Sequence, residues 1–204
     1  MTILLPSPRL QGWFKIEATK LDGSKRLLAD WFPNLVTDAG LNRIGTGSYL
    51  TSCHVGTSNT APTVTDTTVG GFLAASSSRF SDTNGAQSSA PYYGWRQITY
   101  RFALGAVVGN VASVAIATSN TNGGSTILFS RALVLDEFGD PTTVTVLADE
   151  ILDVTYQLRL YPPLTDVVRD GVTIAGSGTH DTITRARSVT SSSWSAWLGS
   201  VATI

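Results

Sequence analysis

Cysteine is almost missing: the 204-residue chain has one, Cys53. An internal disulfide framework and a Cys-rich zinc module are thereby excluded. Charge is scarce as well. Only 14% of residues are Asp, Glu, Lys or Arg, where a soluble domain usually carries roughly a quarter. The 14 basic and 15 acidic side chains leave a formal net charge of -1. That balance offers little for counterion release on a phosphate backbone, so nucleic acid is not an expected partner. No apolar run approaches the roughly 18 residues of a membrane span. The opening MTILLP is too short for a signal-peptide core and lacks a basic start, so cytoplasmic synthesis is expected. Ser and Thr take the place of charge, at about a quarter of the chain, joined by 19 Gly.

The apolar pattern has a period of two rather than 3.6. Residues 12–20 alternate Phe14, Ile16 and Ala18 with Lys15, Glu17 and Thr19. Asp22-Gly23 then supplies a tight hairpin turn, and 25–31 reads as the returning strand, ended by Pro33. Residues 35–45 fit a helix of two turns at most, with Thr37 or Asp38 as cap and Gly45 as stop. Further strands are expected over 52–56, 95–104, 110–118, 126–135, 142–147 and 150–161, and more weakly over 182–189. Turns fall at 122–124, 137–141, 170–171 and 176–178, while the polar run 79–91 reads as a mobile loop. About ten short strands in one domain (1–204) predict an all-β, antiparallel β-sandwich, jelly-roll-like, with one or two short helices. Its ends are an N-terminal hairpin (1–33) and a Trp-containing segment (190–204), both candidates for subunit contacts.

Candidate chemistry is thin. Cys53-His54 has no partners at metal-ligand spacing, and His180-Asp181 lacks a nucleophile elbow. The acids Asp136, Glu137, Asp140, Asp149, Glu150 and Asp153 match no calcium loop and read as solvated turn carboxylates. No catalytic, cofactor or metal residue is assigned. Aromatics are the better candidates for contact: Tyr92, Tyr93 and Trp95 after the polar run, and Trp194 and Trp197 near the C-terminus. Such rings stack on sugars or fill a partner's pocket.

Four stretches, in order, resemble small tail proteins and tail-fibre-associated proteins of tailed bacteriophages. They are NLVTDAGLNRIG (34–45), CHVGTSNTAPTVTD (53–66), ILFSRALV (127–134) and VTVLADEILDVTYQLR (144–159). Between the second and third, the family often has an acidic, glycine-containing turn. Here that place reads VASVAIAT (111–118), without an acid. Arg131, on one strand with Phe129, is expected to pair with the acidic strand ends.

The resemblance implies a non-enzymatic virion component at the tail end. It would be a structural part of the tail tip, baseplate or fibre assembly. Its partners would be other phage tail proteins and copies of itself, in three-fold or six-fold order. The alternative is a host-attachment module binding a surface polysaccharide or pilus through Tyr92, Tyr93 and Trp95.

Overall fold

The computed structural model describes residues 8–45, 47–87, 89–163 and 165–184. The elements are β1 (Arg9–Lys20), β2 (Lys25–Pro33), β3 (Leu35–Val36), α1 (Asp38–Arg43), β4 (Ser52–Gly56), β5 (Phe72–Ser76), β6 (Arg79–Gln87) and β7 (Tyr93–Phe102). After them come β8 (Gly109–Val111), β9 (Ser113–Ala117), β10 (Leu128–Leu133), β11 (Val144–Val146), β12 (Glu150–Tyr161), β13 (Val167–Ile174) and β14 (Gly178–Thr184). Strand makes up 56% and helix 3%, so the protein is all-β and sandwich-like, with antiparallel sheets. One sheet has the order β2-β1-β12-β7-β6 and a second β3-β10-β9-β4-β5; β11-β8 and β13-β14 are two-stranded.

The chain clusters into two compact units, residues 11–83 with 97–158 and residues 1–10 with 84–96 and 159–204. The larger unit carries the main core. From the first sheet, Phe14, Ile16, Ile98, Tyr100, Val154, Tyr156 and Leu158 are fully buried. The alternation in β1 and β12 produces this directly, since every second side chain points to one face. In the second sheet, β4, β9 and β10 are buried at every position. Both faces of these strands are covered, so they lack an apolar/polar alternation, and Ser52, His54, Ser130 and Arg131 are buried among their apolar neighbours.

Several elements differ from the sequence reading. The 35–45 segment first makes β3, so its helix, within the two turns expected, begins only at Asp38. Residues 110–118 split into β8 and β9. Asp170-Gly171 lies inside β13, where the register shifts between Arg169 and Val172 and Gly171 takes φ +70°. It is a bulge rather than a turn, for the same reason that Gly suits both. The expected mobile loop is largely strand β6, at the edge of its sheet beside β7. An edge strand needs few buried side chains, so its sequence stays polar. Fourteen strands are present among the described residues, against about ten expected: the two-residue β3, β5, the polar edge strand β6 and the bulged β13 were not expected as strands, and 110–118 divides in two.

Candidate functional site

The four stretches that carry the family resemblance meet inside the larger unit. Thr37 caps α1, its hydroxyl accepting from the Gly40 amide at 2.9 Å and donating to the Leu128 carbonyl. The Thr37 amide donates to Phe129 at 3.0 Å and that of Asp38 to Val64 at 2.9 Å. Gly40 has no room for a side chain: a Cβ there would lie 2.2 Å from the Phe129 carbonyl oxygen. The first stretch is thus sewn to the second and third. Asn34 Nδ2 donates to the Tyr156 hydroxyl at 3.2 Å, and Ser130 Oγ reaches the same oxygen at 3.5 Å, adding the fourth.

Arg131 ties the second stretch to the third. It is 4% exposed and reaches Asp66 Oδ2 at 2.8 Å and the Thr60 carbonyl at 2.6 Å. Its partner is this loop carboxylate, not the acidic strand ends expected from sequence. Sixty-four intervening residues hide the pairing, which forms only where the 60–66 loop meets β10. Burial pushes the Asp66 carboxyl upward, but hydrogen bonds from Arg131 and Thr63 and the guanidinium charge outweigh it. Its pKa falls below the ordinary carboxylate value.

Two carboxylates expected to be solvated are buried. Glu150 is 1% exposed and meets Arg26 at 2.9 Å, also accepting from the Leu147 amide. The Arg26 hydrogen bond leads in holding its pKa down, against the opposing pull of burial. Asp153 receives two hydrogen bonds from Arg101, at 2.8 and 2.7 Å. Beside them, Thr99 bonds Thr155 and Gln97 bonds Gln157, each at 2.9 Å. Acids with these partners act in cross-strand cohesion. Asp136 remains a turn residue, accepting from the Phe138 and Asp140 amides.

The aromatic candidates do not form one open platform. Tyr92 is exposed, before β7. Tyr93 and Trp95 are half-buried within β7. In the smaller unit the Tyr93 ring packs against Tyr161 at 5.1 Å, with Arg159 over Tyr93 at 4.9 Å and Arg9 over Tyr161 at 4.2 Å. The Trp95 ring fills the space where Gly85 lacks a side chain. Trp194 and Trp197 lie outside the described residues.

The nucleophile candidates are committed elsewhere. Cys53 is fully buried, and burial raises its thiol pKa well above the ordinary value, against thiolate formation. The His54 pKa is lowered by burial, partly countered by the Ser119 carbonyl, 2.7 Å from Nε2, and by Asn122. His180 Nε2 lies 3.0 Å from Ser177 Oγ but also 2.7 Å from the Ser177 carbonyl. Among the described residues, no group of three or more His, Cys, Asp or Glu side chains is placed to hold a metal ion. No helix among them is long and apolar enough to cross a membrane.

Fold and geometry therefore define an all-β, antiparallel, sandwich-like protein whose notable polar groups are spent on holding strands and loops together. Compared with protein-family models, curated proteins and solved structures, the chain gives no match.

Proposed function

We propose that this chain is a structural subunit of a bacteriophage tail tip, baseplate or tail-fibre assembly, working by protein–protein contact in the virion. Its partners are copies of itself, in three-fold or six-fold order, and neighbouring tail proteins. One observation carries the reading. The four stretches resembling the tail proteins are joined at β10, where Leu128 meets Thr37, Arg131 meets Asp66, and Ser130 meets Tyr156, which Asn34 also bonds. Motifs tied together in space act as one unit of architecture, so their joint occurrence weighs more than four separate stretches of strand grammar. A framework role also fits side chains whose polar groups are turned inward to one another. Host-surface glycan contact through Tyr92, Tyr93 and Trp95 draws less support, because Tyr93 already has Tyr161 and Arg159 against it.

Electron microscopy of the phage particle with gold-labelled antibody tests the proposal. Label at the end of the tail is expected. Particles that contain the protein only in the capsid, or lack it, overturn the reading.

A further inference from the structure

We propose that the 185–204 segment of one copy docks in a groove on a second copy, between β2 and the 135–144 segment. The inference rests on reading the chain as a repeated subunit and names the surface that joins the copies. The groove belongs wholly to the larger unit and holds about 660 Å³. One wall is β2, with Leu27, Asp30 and Trp31; the other brings Leu135, Glu137 and Thr143. β2 is the outermost strand of its sheet. Such an edge is a template for an added strand unless charge or proline guards it. Here the guards stand at the ends, Lys25 and Arg26 at one and Pro33 at the other. The stretch between is LLADWF, whose one charge is Asp30, with Leu27 54% and Trp31 36% exposed.

Charge selects the occupant. Asp30 and Glu137 are both exposed and put negative charge on both walls. The Asp136 carboxylate is turned to its own turn amides. From 182 to 204 the sequence carries Arg185 and Arg187 and neither Asp nor Glu. Val189, Trp194, Trp197 and Leu198 follow. A basic entry and then apolar rings match an acidic groove floored by leucine and tryptophan. Trp and Arg are also the residue types that most often anchor an interface. A tail of one copy entering a groove on the next is a head-to-tail contact, and such contacts close into rings when the rotation allows.

A charge swap in the full-length protein tests this, with mass in solution measured by sedimentation. The wild-type chain is expected to be oligomeric. Asp30→Arg with Glu137→Arg weakens association by about tenfold or more, as does Arg185→Glu with Arg187→Glu. All four changes together restore it. Circular dichroism of each variant should match wild type, since Asp30 and Glu137 are exposed. A second measurement does not depend on charge. Glu137→Cys combined with Ser188→Cys should form disulfide-linked dimers on oxidation. A monomeric wild type, groove variants of unchanged mass, a swap without rescue, or no cross-linked dimers would each overturn the inference. Tail labelling with unaltered mass in the groove variants would sink this contact alone and leave the tail reading standing.

Discussion

Arg131 and Gly40 carry much of the local specificity of the fold. Arg131 is buried with a carboxylate and a carbonyl as partners, so removing Asp66 strands a cation in the interior. Asp66→Ala should cost about 3 kcal/mol in urea unfolding at pH 7, the cost of breaking a buried pair. The Asp66 pKa is lowered in the folded state, so its contribution is present above the unfolded value and lost as pH falls through the folded one. With Asp66→Asn, the stability gap to wild type should narrow below about pH 4; a constant gap from neutral to acid pH would contradict the assignment. Gly40→Ala offers a sharper contrast. Helix propensity alone forecasts a gain of about 1 kcal/mol. Contact with the Phe129 backbone forecasts a loss of about 1–3 kcal/mol instead, and thermal melting decides the sign. The cap at Thr37 was legible in sequence because capping is local. The partner of Arg131 was not, because sequence distance carries no information about which loop will cover a strand.

Strands that alternate are the ones that can be read. β1 shows one buried face, and β12 carries the same apolar alternation although Asp153 and Thr155 are buried on its other face; both strands were legible in sequence. β4, β9 and β10 are buried on both faces, so their pattern marks burial without saying what lies on either side. β6 misleads because an edge strand can be built from Ser, Thr, Asn and Gly. Ser81 bonds Thr99 across to β7, and the Arg101 amide donates to Ser78. Hydrogen exchange should therefore show slowed amides in 79–83, where a mobile loop would exchange at once. The Arg26–Glu150 pair ties the β1–β2 hairpin to the start of β12. Arg26→Ala should lower stability by about 1–3 kcal/mol, the cost of leaving a buried acceptor unanswered. A denaturation midpoint equal to wild type would show that water replaces the guanidinium without loss.

At the scale of the molecule, low charge and plentiful Ser, Thr and Gly suit surfaces that are covered by neighbours, since interface cores are depleted in charge. Near-zero net charge leaves a free monomer poorly protected from association, a property that a subunit of a repeated assembly can tolerate. The fold class was legible because period-two alternation and turn signals recur along the whole chain. The proposed function rests on the family resemblance alone: the residues behind it hold strands and loops together, and architecture does not specify a reaction. The candidate rings at Tyr93 and Trp95 were found by type, but Tyr93 packs on Tyr161 and Arg159, far away in sequence, and Trp95 fits over Gly85 only once β6 and β7 pair. The most direct test of the central claim is a cryo-electron microscopy map of the phage tail. It should contain this all-β fold at the tail end, in three or six symmetry-related copies. A fully interpreted tail without the fold would contradict the assignment.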